Sequence, residues 1–420
     1  MESDAFVDGG MEQNMAPQDA LFAKLQAHIE HSLHFGGGPR VTYLIGNNGV
    51  GKSRQLARIA AHYASQGDIA AIGCISNAVY DRFTLTSRGG LEYLGSRSSG
   101  NAVFHTAIDR LVSKIILKGM QRSKRAVRLL EETLEMDFMF SIDAPQEKGS
   151  KVPPLQRLVD RRKLKSGASI ADFLSVSDRR TVVELLGRQV RFSSLKLDQV
   201  ASLQKFMDLN PEVRVFVHRR NPARQTIDFG ALSTGEQNRA LTFAKVLSVA
   251  EEGALILIDE PEISLHLHWQ MDFHRSLKGL LEGLKRIHVV VATHSPVIIS
   301  EGAKHDSDDA AVIAIDHVDD GEGGERLIVT DRLFRDIASH ERLVLDDFNT
   351  ATYRTQEVDL KIAESVLEAV ENPDRIADVI KRLQQICAKL GISEEDRHHV
   401  ETAVRVVRKQ ALVLDTGAQS

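Results

Sequence analysis

"VTYLIGNNGVGKSRQLARIAAHYAS", residues 41–65, runs through three patterns in succession. Its apolar, β-branched opening reads as a short buried strand. Its close, "RQLARIAAHYAS", consists of good helix formers with apolar residues on one face. Between them Gly46 to Ser53 fit G-x-x-x-x-G-K-[ST], the pattern of a loop that cradles phosphates. The chemistry needs these residue types: glycines let backbone N–H groups curl around phosphate oxygens, Lys52 reaches the outer phosphates, and the Ser53 hydroxyl ligates magnesium at a helix N-terminus. The flanking strand and helix separate this loop from an ordinary glycine-rich turn. Gly46, Asn47, Asn48, Gly49, Val50, Gly51, Lys52, Ser53 and Arg54 are therefore the expected nucleotide contacts.

A second stretch, "LILIDEPEISLHLHWQ" (255–270), ends an apolar run on two adjacent carboxylates, Asp259 and Glu260. Such a pair is costly unless a cation arrives to balance it. About twenty residues earlier stands "LSTGEQ", and some thirty beyond stands "ATHSP". Alone, "LSTGEQ" is no more than a turn that starts a helix.

Taken in order with the glycine loop, these motifs resemble the ATP-binding-cassette (ABC) class of P-loop ATPases over residues 36–335. Transporter cassettes follow Asp-Glu-Pro with a loop ending in Leu-Asp, whereas here His266 follows Leu265. "DEPEISLHL" is more similar to the RecF, SMC and OLD-like ATPases, including the stand-alone ATPases of bacterial anti-phage systems such as Septu. Leu267 stands where many of those relatives have proline.

The resemblance implies a set of roles. Asp259 and Ser53 hold magnesium, Glu260 acts as general base on the attacking water, and His294 senses the γ-phosphate. Ser233, Thr234, Gly235 and Glu236 form a signature loop that meets the nucleotide of a second copy, so that ATP joins two heads and hydrolysis parts them. ATP and Mg2+ are the implied cofactors, and a head-to-head homodimer or higher even oligomer the implied assembly. "ISNAVYDRF" lies where the class has its magnesium-contacting Q-loop, but no glutamine stands there, which leaves Asn77 as the candidate. His266 and His268 have no third ligand in view and read as loop residues ahead of a metal pair.

The composition is that of a helix-rich α/β protein, with 5% aromatics and mixed charge. Cys74 and Cys387 are too few for a disulfide framework, and no signal-like start or apolar run of about 18 residues is present, so a cytoplasmic protein without membrane insertion is expected. The net charge of -5 is unevenly spread: residues 105–225 hold 24 Lys and Arg against 14 Asp and Glu. Lys118, Arg122, Lys124, Arg125 and Arg128 cluster, as do Arg157, Arg161, Arg162, Lys163 and Lys165. Two readings stand: a salt-dependent contact to nucleic-acid backbone through residues 118–165, or solvated helix faces and contacts to an acidic protein.

The expected architecture is α/β, a P-loop NTPase of ABC type with a mixed, mainly parallel sheet, a helical insertion and a helical C-terminal region. Residues 1–17 read as a flexible tail, and 18–104 as a first ATPase lobe, in which Leu21, Leu25, Ile29 and Leu33 suggest a helix, with a strand as the alternative. Residues 105–208 read as the basic helical insertion, including "AVRLLEETLEMDFMF", 209–335 as a second lobe, and 336–420 as helices, with Gly391 ending one and Ser393 capping the next. Asp346 and Asp347 form a lone acidic pair, so no nuclease is expected in this chain. The leading expectation is a regulatory ATPase that controls a separate effector encoded nearby, such as a nuclease, in anti-phage defence. A RecF-type DNA-maintenance ATPase is the alternative. A transporter subunit is disfavoured by His266 and the basic insertion.

Overall fold

A computed structural model of the chain describes residues 17–35, 37–47, 49–78, 81–84, 89–95, 105–142, 172–209, 211–220, 225–306, 310–319, 325–334, 356–387 and 394–417. In chain order the strands are β1 (Arg40–Gly46), β2 (Ile72–Ser76), β3 (Leu91–Leu94), β4 (Met136–Ser141), β5 (Val190–Arg191), β6 (Arg214–Arg219), β7 (Thr226–Asp228), β8 (Leu255–Asp259), β9 (His288–Ala292), β10 (Ala310–Asp319) and β11 (Glu325–Leu333). The helices are α1 (Pro17–Phe35), α2 (Lys52–Gln66), α3 (His105–Arg122), α4 (Ala126–Leu134), α5 (Val176–Leu185), α6 (Leu197–Asp208), α7 (Thr234–Val249), α8 (Leu267–Leu280), α9 (Pro296–Ala303), α10 (Gln356–Glu371), α11 (Ile376–Cys387) and α12 (Glu394–Gly417).

Seven strands build the main sheet in the order β11-β10-β1-β9-β8-β2-β3, parallel throughout except for the antiparallel pair β10 and β11. Every residue of β2, β8 and β9 is buried, which is why their sequences read as unbroken apolar runs. One face is covered by α1 and α2, whose Leu21, Leu25, Ile29, Leu56 and Ile59 pack on Leu44, Leu257 and Val290. The four-residue recurrence from Leu21 is thus helical, with Leu33 only partly buried at its end. On the other face Tyr43, Ile45, Ile258 and Val291 share a core with Ile116 of α3, Phe243 of α7 and Phe273 of α8.

A second, antiparallel sheet has the order β5-β4-β6-β7 and joins strands from either side of residue 208. This corrects the helical reading of "AVRLLEETLEMDFMF": helix α4 stops at Leu134, and Met136–Ser141 is a strand. The break is Glu135, whose left-handed φ of 55° closes the helix, after which Phe138 and Phe140 alternate inward. Helix α3 packs against α7 and α6, so the insertion shares the core of the main sheet. Helices α10, α11 and α12 pack on one another around Ala369, Val379, Leu383, Val400 and Val407. The capping expected of Gly391 and Ser393, and the pair Asp346 and Asp347, lie outside the described residues. Among the described residues no helix is long and apolar enough to cross a membrane.

A buried polar chain ties the central strand to the helices behind it. Tyr43 Oη on β1 lies 2.8 Å from His274 Nδ1 on α8, and His274 Nε2 lies 3.0 Å from Asp306, which also pairs with Lys278 at 3.0 Å. The Tyr43 ring stacks on Phe334. Replacing Tyr43 by Phe keeps the stacking and strands one imidazole nitrogen, so Tyr43→Phe is expected to cost about 1–2 kcal/mol. A urea midpoint equal to that of the parent would show that the bond contributes nothing.

Candidate functional site

Strands β1, β9 and β8 are adjacent and parallel, so whatever follows each of them emerges at one edge of the sheet, where α/β folds bind ligands. Register makes this concrete: Leu44 pairs with Ala292, and Ala292 with Asp259. The glycine loop, the two carboxylates and "THS" are therefore neighbours in space although some 250 residues separate the outermost of them.

The loop needs its first glycine for two reasons. Gly46 has φ +144°, and a Cβ there would lie 2.2 Å from the Ile315 carbonyl oxygen of β10. Gly51, at φ +99°, turns the chain into α2, whose first residue is Lys52. The ammonium of Lys52 folds back on the loop, donating to the carbonyls of Gly46 (2.7 Å) and Asn47 (3.1 Å). Burial lowers its pKa, opposed by Glu260, Glu262 and Asp259. Gly49 has φ +91° with open space around it, Val50 is buried and Arg54 is exposed. Asn48 lies outside the described residues.

Ser53 Oγ donates to Asp259 Oδ1 at 3.0 Å, joining the first turn of α2 to the end of β8. A hydroxyl and a carboxylate so placed are hard oxygen donors, the set that suits magnesium. Asp259 is 2% exposed. Burial pushes its pKa up to about 7; the Ser53 bond opposes that rise, while Glu260, Asp81 and Glu262 add to it. Glu260 adopts a left-handed φ of 49°, and its N–H is held by the Ala292 carbonyl at 2.8 Å. A non-glycine residue in that region costs of order 1–3 kcal/mol, and here it turns the chain sharply at the strand end.

His294 is held from the same loop. Glu262 Oε1 accepts its backbone N–H at 2.7 Å and lies 3.0 Å from its Nδ1, while Glu260 Oε1 is 3.9 Å from that nitrogen. Ser295 Oγ donates to Gln270 Oε1 (2.7 Å), and Gln270 Nε2 donates to the Leu265 carbonyl (3.0 Å). Sequence reasoning assigned no role to Glu262 or Gln270. The acid of Glu262 was visible in "DEPE", but its target lies 32 residues away.

The signature residues form the start of α7. Ser233 caps the helix in a reciprocal box with Glu236, and Glu236 also pairs with Arg219. Ser233 and Thr234 are exposed, whereas Gly235 lies so close to the loop after β8 that a Cβ would sit 2.6 Å from the Ser264 carbonyl and 2.9 Å from the Trp269 ring. Asn77, the Q-loop candidate, is engaged with Thr242 of α7 at 2.9 Å. His266 caps α8 and accepts the His268 N–H at 3.4 Å. In the first basic cluster Lys118 pairs with Glu92 and Arg122 with Glu251, while Lys124, Arg125 and Arg128 are exposed. Arg157, Arg161, Arg162, Lys163 and Lys165 lie outside the described residues.

Comparison with known proteins adds the following. Residues 121–300, which hold the signature, both carboxylates and His294, match the family described as "AAA domain, putative AbiEii toxin, Type IV TA system". Protein ea59 of Escherichia phage lambda is 36% identical over 73 residues, which is 17% of this chain and 14% of that protein. A solved SMC head bound to the C-winged helix domain of ScpA is 14% identical, with a TM-score of 0.21, over 29% of this chain and 33% of that one. The SMC head domain from Thermotoga maritima is 13% identical, with a TM-score of 0.26, over 69% of this chain and 90% of that one.

The raised pKa of Asp259 sets a direction for pH. Below about pH 7 the metal-free carboxylate holds a proton that a cation must displace, and above it the carboxylate is already charged. Affinity for magnesium-nucleotide should therefore fall about tenfold per pH unit below that point. Calorimetric titrations across this range check it, with Asp259→Asn expected to flatten the profile.

Proposed function

We propose that this chain is a P-loop ATPase of the ABC class in the SMC and RecF-like group, that it hydrolyses ATP between two copies of itself, and that it uses that cycle to control a partner effector. The observation that carries the reading is the meeting of Ser53 and Asp259 at 3.0 Å, with Glu260 and His294 beside them on one sheet edge. An incoming triphosphate offers Lys52 better acceptors than the Gly46 and Asn47 carbonyls and so draws the ammonium onto its outer oxygens. Ser53 and Asp259 are the residues to hold magnesium, which supplies charge neutralisation on the phosphates. Glu260 orients a water and takes its proton as the oxygen attacks the γ-phosphorus, and the charge that passes to the departing ADP is met by Lys52. His294, beside Glu260 at the same sheet edge, contacts the γ-phosphate.

In this reading the exposed Ser233 and Thr234 meet the γ-phosphate bound by the second copy. The cap that Glu236 makes with Ser233 leaves the hydroxyl on the surface and fixes its position, which suits a group that must reach another molecule. ATP then serves as the adhesive between heads. The toxin–antitoxin description of the matched family supports a paired system, and we place this one in bacterial anti-phage defence, with the effector, such as a nuclease, carried by a separate protein. The exposed Lys124, Arg125 and Arg128 favour a second reading, in which the partner is nucleic acid and the chain serves DNA maintenance.

Glu260→Gln should bind ATP without turning it over and accumulate as a dimer in ATP and magnesium. Sedimentation that finds only monomer under those conditions counts against the mechanism. Charge reversal at Lys124, Arg125 and Arg128 together with Arg161, Arg162 and Lys163 should weaken binding to DNA or RNA at low salt, and an unchanged gel-shift affinity removes the nucleic-acid role.

A further inference from the structure

The loop after β8 carries a third carboxylate for which neither metal binding nor water activation has a use. Glu262 is 7% exposed and sits in a site already charged by Asp259 and Glu260. A buried carboxylate is costly unless its hydrogen bonds are made, so where they go is informative. Oε1 accepts the backbone N–H of His294 at 2.7 Å and lies 3.0 Å from its ring Nδ1, and the neighbouring Thr293 hydroxyl also favours the charged carboxylate. An apolar side chain of similar volume would serve packing alone as well or better.

We infer that Glu262 is a positioning residue for the hydrolytic site: it fixes the His294 backbone N–H, holds the ring's Nδ1–H beside its own carboxylate, and keeps the ring off Glu260. The inference rests on the ATPase reading above. In a histidine, the partner of one ring nitrogen sets which nitrogen carries the proton and which way the ring faces. Nδ1 of His294 has two carboxylates near it, Glu262 in an ion-pair contact at 3.0 Å and Glu260 at 3.9 Å, and the nearer one is the acceptor we assign to its proton. Without Glu262 the ring turns to Glu260 and ties up the carboxylate that must receive a proton from water. Lys52, the cation that faces both acids, is committed to the loop carbonyls until phosphate arrives, so it does not substitute for Glu262 in this role. The backbone contact does a second job, fixing the main chain where β9 ends, so that ring and strand are set by one carboxylate.

The test uses the full chain with 15N-labelled histidine, read first without nucleotide and then by steady-state turnover of ATP with magnesium. Wild-type His294 should show its proton on Nδ1; a ring protonated on Nε2 with a bare Nδ1 overturns the inference without any variant. Glu262→Met, which keeps the volume and removes the acceptor, should lose that signature and lower kcat about tenfold or more, with KM for ATP changed by less than about twofold. Glu262→Gln, whose amide oxygen accepts the same N–H groups, should restore the signature and most of the rate. Adding His294→Ala to Glu262→Met should cost little further, because the two act as one unit. An unchanged ring signature in Glu262→Met, or fully multiplicative losses in the double variant, overturns the inference. A wild-type protein that turns over no ATP overturns the ATPase reading instead, and the ring signature still decides what Glu262 does.

Discussion

The structure depends on holding negative charge out of water. Asp259, Glu260 and Glu262 lie within four residues at the end of β8, and Asp259 and Glu262 are buried. Unit charges about 4 Å apart repel by about 4 kcal/mol at the effective dielectric of a protein near its surface, a large share of the roughly 5–15 kcal/mol that holds a domain together. The fold meets this in part by giving each acid a hydrogen-bond donor or cation from another element. Ser53 comes to Asp259 from α2, His294 comes to Glu262 from the end of β9, and Lys52 lies where it offsets all three. What is left over is an attraction for a cation, which in the proposed function arrives with a magnesium-bound nucleotide.

Geometry follows from that constraint. Only adjacent, parallel strands with matched ends can bring three loops to one point, and β1, β9 and β8 have that arrangement. The backbone is strained where the loops leave the sheet, at the left-handed Glu260 and Ser264. The fully buried strands beneath hold it in place, since relaxing either turn would pull on strands buried along their whole length.

Much of this could be read from the chain because the signals were local. The glycine loop sits between its own strand and helix, the four-residue recurrence of Leu21, Leu25 and Ile29 is a helix, and "LILIDE" announces a buried strand with an acidic end. The failures have an equally physical origin. Helix α4 gives way to β4 at Glu135, a residue type that does not advertise a positive φ, so the helical pattern ran on into "DFMF". Asn77 could be located but not its partner, because Thr242 is 165 residues away, and the grip of Glu262 on His294 and of Gln270 on Ser295 is likewise a property of the folded sheet. Pairings that only tertiary structure creates leave no period or spacing in the sequence.

In the proposed pair of heads, the close seat of Gly235 against Ser264 and Trp269 would join two parts that serve different nucleotides. Under that proposal the start of α7 would answer to the triphosphate across the interface, whereas the loop it touches leads back to the chain's own Glu260 and Glu262. With no room for even a methyl group between them, a shift in one is passed to the other by contact. Two such contacts, one per copy, would close a loop of cause and effect through both sites. In such a pair neither molecule of ATP would be spent as though the other were absent, and the proposed dimer would behave as a single two-shot device rather than as two independent engines.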